Sequence, residues 1–156
     1  AASSLTRLVD MEVPSYKLTA SLRGILAQRL LRKVCPECSA ERPLTDAECR
    51  FTGLKKGTSA RVATALSANE KEQRKQEGTL CTRCGGTGYQ GRIGTYELLK
   101  VTKNIREAIK QQKSAQEIEQ AAVEEGMLTL KSYGAKLIEQ QLTTVSELQK
   151  ICNTDH

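Results

Sequence analysis

The chain has 156 residues, with 24 Lys and Arg against 18 Asp and Glu and a formal net charge of +6. At 38% hydrophobic and 3% aromatic residues it is neither disordered-like nor fibrous, and its length suits one ordinary domain or two small ones. No run approaches the roughly 18 apolar residues of a membrane-spanning helix, and AASSLTRLVDMEVPSY lacks the basic and apolar regions of a signal peptide. It reads instead like a chain cut out of something longer.

In chain order, Leu5, Leu8, Val9 and Met11 recur at near-helical spacing over residues 3–12, with Ser3 or Ser4 as candidate N-cap, and Pro14 then interrupts the pattern. The block TASLRGILAQRLLRKV sets Leu22, Ile25, Leu26, Leu30, Leu31 and Val34 on a helical face, although periodicity alone also allows a buried strand over Gly24–Val34. From Cys35 to Gly88 prolines and glycines punctuate the chain, as in a small loop-rich module held by something other than a core. Within it, Thr45–Leu54 reads as a short helix, Thr45 and Glu48 having capping-box spacing. Ser67–Gly78 is polar on all sides, either a solvated helix or a flexible insertion. After Gly88, Ile93, Thr95 and Tyr96 beside glycines read as a strand entered from a tight turn. The remainder is helical over Lys103–Gln112, Ser114–Glu125, Leu128–Gln141 and Ser146–Cys152, with Ser114 and Glu117 as a second capping box and short links that suggest an antiparallel cluster.

Charge is uneven along the chain. Residues 1–34 carry six basic and two acidic groups, residues 35–88 nine and seven, and residues 89–156 nine of each. A basic excess of this size is compatible with nucleic acid, but the aromatics that would stack on bases are nearly absent, and a solvated surface explains it as well.

The strongest chemical signal is the pair of C-x-x-C turns, Cys35–Cys38 and Cys81–Cys84. A two-residue gap points both sulfurs to one side of a turn, and two such turns supply four corners of a tetrahedron at about 2.3 Å from a metal. Soft thiolates with no His in range indicate structural Zn²⁺, in a closed shell without a position for reactive water. Competing readings are redox dithiols, which lack the surrounding βαβ context, an iron–sulfur centre, and four unrelated buried cysteines. The 42 residues between the pairs exceed a minimal zinc ribbon, so a loop should project from the metal base. Cys49 and Cys152 are expected as small buried hydrophobes.

No catalytic constellation is visible. The chain has no G-x-x-x-x-G-K-S/T phosphate loop, GGTGYQGRIG follows a cysteine turn rather than a strand, and the only His is His156.

LTRLVDMEVPSYKLTASLRGILAQRLLRKVCPEC, CTRCGGTGYQGRIGTYELL and EEGMLTLKSYGAKLI, in that order, resemble the C-terminal part of the type II secretion and type IV pilus assembly ATPases. Ala27–Leu30, the cysteine pairs and the stretch from Gly88 to Glu97 carry the likeness, over residues 1 to about 45 and 78 to about 150. The resemblance implies an α/β fold: the C-terminal remnant of a RecA-like P-loop core sheet, with an inserted four-cysteine zinc module and a C-terminal helical cluster. It makes Gly24–Val34 a strand beside Arg92–Leu99. It divides the chain into the end of the core (1–34), the zinc module (35–88, with a polar insertion at about 57–77), a strand returning to the core (89–102) and the helical cluster (103–156).

The metal ligands are expected to be Cys35, Cys38, Cys81 and Cys84. The family's Walker motifs are missing, so no catalytic or ATP-contacting residue carries over, and ATP and Mg²⁺ belong to the parent motor alone. Glu12 stands where the family usually has Gly, and the linker between cysteine pairs is longer than typical. The implied partners are neighbouring subunits of a homo-hexamer and an inner-membrane platform protein. The implied location is cytoplasmic, peripheral to the inner membrane. Two readings from other classes are a zinc-ribbon nucleic-acid adaptor and, because CTRCGGTG matches one repeat, an Hsp40-like cysteine-rich chaperone module.

Overall fold

Where the helical count and the strand alternation compete, hydrogen bonding to a distant segment decides. In the computed structural model, which describes residues 1–153, β1 (Gly24–Val34) is a strand laddered to β4 (Tyr89–Lys100). Val101 N–H donates to Arg23 and Cys35 N–H to Gly88, which brackets the ladder in the antiparallel sense. The elements in order are α1 (Ala2–Asp10), α2 (Ser15–Ser21), β1, β2 (Ala40–Pro43), α3 (Asp46–Thr52), β3 (Ser59–Val62), α4 (Ala68–Gln76), β4 (Tyr89–Lys100), α5 (Lys103–Lys110), α6 (Ala115–Glu124), α7 (Leu130–Glu139) and α8 (Val145–Asn153). The chain is mixed α/β with two two-stranded sheets, β1–β4 and β2–β3. No helix among the described residues is long and apolar enough to cross a membrane.

Contacts divide the chain into two compact units, one of residues 1–28 and 96–130, the other of 29–95 and 131–156. Helices α5 and α6 therefore group with α1 and α2, while α7 and α8 group with the cysteine region.

The first unit is built on an amphipathic α1. Leu5 and Ala2 bury against Leu99, Ile105, Ile109, Ile118 and Ala122. Its N-cap is Ala1, without a side-chain bond, so Ser3 and Ser4 lie inside the helix and do not cap it. Glu97 is buried and accepts from the Ala1 amino group at 2.7 Å and from Leu130 N–H at 3.1 Å. Helix α5 is capped by Thr102 and α6 by the expected Ser114–Glu117 box. α1 ends in a tight turn, where Glu12 has φ 63°. An L-residue pays for that left-handed backbone, and Glu12→Gly is expected to raise stability by about 1 kcal/mol, read as a higher urea midpoint with unchanged slope. A lower midpoint would show that the Glu12 side chain supplies compensating contacts.

The second unit overturns one expectation directly. Residues 35–88 are not held without a core: Leu44, Cys49 and Ala60 share one with Ile138, Val145 and Leu148 of α7 and α8. Strands β2 and β3, which no sequence pattern had indicated, pair antiparallel with Arg42 opposite Ala60. Each is only four residues long, too short for alternation to register. Helix α3 carries the expected Thr45–Glu48 box and ends on Gly53 at φ 74°. The polar stretch resolves to the solvated helix of the two alternatives, with Ser67 and Glu70 forming a further capping box and no residue of α4 buried.

Candidate metal centre

The first cysteine turn is launched from the end of β1 and the second is closed by the start of β4. Cys35 N–H donates to Gly88 at 2.9 Å, so the ladder itself brings the two turns face to face. Inside each turn the same backbone bond recurs: Ser39 N–H to the Cys35 carbonyl at 3.2 Å, and Gly85 N–H to the Cys81 carbonyl at 2.9 Å. The second turn needs three left-handed residues, Gly85, Gly86 and Gly88, at φ 60°, 78° and 80°. At Gly88 a Cβ would also lie 3.0 Å from the backbone carbonyl carbon of Thr64, so both the backbone angle and the space require glycine.

The four sulfurs of Cys35, Cys38, Cys81 and Cys84 all lie within 4.8 Å of one another. Two of the distances are 3.8 Å (Cys35 to Cys81) and 3.5 Å (Cys38 to Cys84). Tetrahedral corners about 2.3 Å from a central ion are about 3.8 Å apart, so the cluster has the size that a zinc-type shell requires. Cys35 and Cys84 are buried and Cys38 and Cys81 are half-buried.

The protonation pattern also suits a cation. Burial pushes Cys84 upward, but N–H groups of Gly88 and Gly86 and the Cys38 thiol stabilise its thiolate and bring it down to about 6. Cys38 moves the other way, raised by burial and by its three thiol neighbours. A soft divalent ion is the group that this donor set of four clustered sulfurs fits. An ion held by all four sulfurs would keep no open position for water.

Supports that the sequence did not reveal come from β3 and the segment after it. Thr64 Oγ1 donates to the Cys38 carbonyl at 2.7 Å, and Arg61 Nη1 donates to Ser39 Oγ at 3.0 Å and the Pro36 carbonyl at 3.3 Å. Arg83 and Glu37 pair across the two turns at 3.2 Å. Nothing in the local pattern announces these partners, because each is set by tertiary pairing. Cys49 is buried in the core of this unit, as expected of a small apolar side chain, whereas Cys152 is only half-buried against it. His156 lies outside the described residues.

The basic residues also sort by unit. The unit that holds the cysteines has sixteen basic and ten acidic residues and the other has eight of each, so the whole formal excess belongs to the cysteine-bearing unit. Of the basic residues at the end of β1, Arg32 is turned onto Glu147 of α8, donating through Nε at 3.0 Å and Nη2 at 2.8 Å.

A family model described as "Type II/IV secretion system protein" matches residues 1–150. The chain belongs to that family. Among curated relatives it is 39% identical over 148 residues to the type IV pilus assembly ATPase PilB of Thermus thermophilus, covering 95% of this chain and 15% of that protein. It is 31% identical over 151 residues to the type II secretion system protein HxcR of Pseudomonas aeruginosa, covering 97% of this chain and 26% of the relative. It is 35% identical over 109 residues to the type II secretion system protein E of Aeromonas hydrophila, covering 70% of this chain and 19% of the relative. The chain thus spans about a quarter or less of the length of these relatives. The family match runs through both units, which a free-standing zinc ribbon or a cysteine-rich chaperone repeat does not account for.

Proposed function

We propose that this chain is the C-terminal zinc-binding and subunit-packing portion of a hexameric motor ATPase that powers pilin or pseudopilin polymerisation. The observation that carries the reading is the four-sulfur cluster of tetrahedral size, set in a chain of the type II/IV secretion family. Cys35, Cys38, Cys81 and Cys84 would hold Zn²⁺, which supplies rigidity and no reactive water. ATP and Mg²⁺ act in the parent's nucleotide-binding motifs, which this sequence does not contain. Neighbouring subunits and an inner-membrane platform protein are the partners, and the site of action is the cytoplasmic side of that membrane.

A RecA-like sheet remnant is supported by the outer face of the β1–β4 ladder. Leu26 and Leu98 are 61% and 48% exposed there, and a two-stranded ladder covers neither. Such open apolar strands ask for further strands or a covering layer, as a larger core sheet would provide.

The purified chain is expected to contain one zinc per molecule by metal analysis and to hydrolyse ATP no faster than background. A chain purified without chelators yet metal-free would overturn the zinc assignment. Turnover by this chain alone would overturn its placement as the motor's non-catalytic end.

A further inference from the structure

The two cysteine turns are closed by the same device, drawn from different places in the chain. In the second turn the Thr87 hydroxyl donates to the Cys84 carbonyl at 2.8 Å, and the Thr87 N–H joins it at 3.2 Å. Three residues after Cys38 the first turn has Glu41 instead, whose carboxylate accepts from Gln141. The Cys38 carbonyl takes its hydroxyl from Thr64, 26 residues away, at 2.7 Å.

Thr64 belongs to a short segment, residues 61–66, that touches both turns. Toward the first, Arg61 Nη1 donates to the Pro36 carbonyl and to Ser39 Oγ. Toward the second, Leu66 N–H donates to the Gly86 carbonyl at 2.9 Å. In between, Ala63, Thr64 and Ala65 lie against Gly88 so closely that a Cβ there would meet atoms of all three at 3.0–3.1 Å. The Cys35 carbonyl is satisfied inside its own turn by Ser39 N–H, but those of Pro36 and Cys38 depend on this segment. A fixed peptide plane fixes the direction in which its residue projects a sulfur. Cys38 needs that help more than Cys35 or Cys84, because it is half-buried where they are buried. Hydrogen-bond partners just outside a metal's ligands orient those ligands in this way. We infer that residues 61–66 form a strap across both turns that sets how tightly the cluster holds its metal, with Thr64 the positioning residue for Cys38. This role rests on the zinc reading of the four sulfurs, and it places a determinant of affinity outside the C-x-x-C pairs.

The test uses the zinc-loaded full chain and two readouts: zinc affinity by competition with a chelator, and the labelling of each cysteine by iodoacetamide, followed by mass spectrometry. Thr64→Val, which removes the hydroxyl at nearly constant shape, should weaken zinc by about tenfold. It should also let Cys38 be labelled ahead of Cys35, Cys84 and Cys49. Thr64→Ser keeps the donor and should restore both behaviours. Arg61→Met removes the other two bonds to the first turn and should give the same order of labelling with a zinc loss of about threefold. A merely structural role would not single out Cys38, since general loosening exposes every cysteine of the unit. Labelling of all six cysteines together in both Thr64→Val and Arg61→Met would therefore overturn the inference. If the unmodified chain takes up zinc and Thr64→Val matches it in affinity and labelling, the strap alone is refuted. If the unmodified chain takes up no zinc, the metal reading fails and the strap's role fails with it.

Discussion

Cys35→Ser is expected to release the metal and unfold the cysteine-bearing unit around it. Cys35 is fully buried, and its backbone N–H ties the end of β1 to Gly88, so its sulfur sits where the two turns meet. Metal binding contributes about 10–16 kcal/mol in small structural zinc modules, comparable to the whole stability of an ordinary domain, so losing a ligand outweighs any local packing gain. A serine oxygen is a harder and less readily ionised donor, and it leaves the ion with an incomplete shell of three sulfurs. The expected readout is zinc content falling from one per chain toward zero, with loss of amide protection at Leu44 and Ala60. A chelator added to the unmodified chain should reproduce both effects. Cys49→Ser is the matched control. Cys49 is also buried but packs in the core rather than at the cluster, so the Cys49→Ser chain should keep its zinc and lose only about 1–3 kcal/mol. If the two substitutions behave alike, the cluster of four sulfurs is ordinary core and not a metal centre.

The helices and the cluster were readable because their causes are local. Thr45–Glu48 and Ser114–Glu117 each form both bonds of a capping box, and a capping box is written in four consecutive residues. The C-x-x-C spacing likewise fixes two sulfurs per turn, so only the meeting of the two turns required the fold. Gly24–Val34 was ambiguous for a physical reason. Its apolar residues satisfy a helical count, and only pairing with a segment some 65 residues away makes the extended form the stable one, with Leu31 inward and Leu30 half-exposed. Family likeness, not periodicity, pointed to the strand.

What could not be read was any contact between distant segments of low local signal. Strands β2 and β3 are short and half-charged, AERP and SARV, and exist because they pair with each other and because Leu44 and Ala60 reach the core supplied by Leu148 and Ile138. The grouping of α7 and α8 with the cysteine region, apart from α5 and α6, has the same origin. Gly134 shows how specific that packing is. A Cβ there would come within 2.5 Å of Leu148 Cδ1, so a residue that weakens a helix in isolation lets α7 and α8 approach closely.

Arg32 and Glu147 are expected to respond unequally to removal, and the inequality follows from exposure. The Glu147 side chain is 7% exposed and that of Arg32 45%. Burial raises the carboxyl, but the Arg32 side chain, the Arg32 N–H and Lys150 together overcome it and hold Glu147 down at about 2. Arg32→Met would leave that carboxylate buried with its main counter-charge gone, and should cost about 3 kcal/mol or more. Glu147→Gln leaves a half-exposed guanidinium that water can solvate and an amide that still accepts from the Arg32 N–H, so about 1–2 kcal/mol is expected. The double variant should recover part of the Arg32→Met loss, because the unpaired buried charge is gone. The pH dependence carries the sign of a depressed acid. Glu147 is lowered from its ordinary value of 4.5, so the contribution of the pair is fully present above about pH 4.5 and is lost as the pH falls toward 2. Glu48, also held at about 2, chiefly by Arg42, adds a second acid-sensitive link in the same unit. Urea melts at pH 7 and pH 3 should therefore show a loss on acidification in the unmodified chain that is smaller in Glu147→Gln. An equal loss in both, or a larger cost for Glu147→Gln than for Arg32→Met at neutral pH, would show that the buried carboxylate is not what this ion pair compensates.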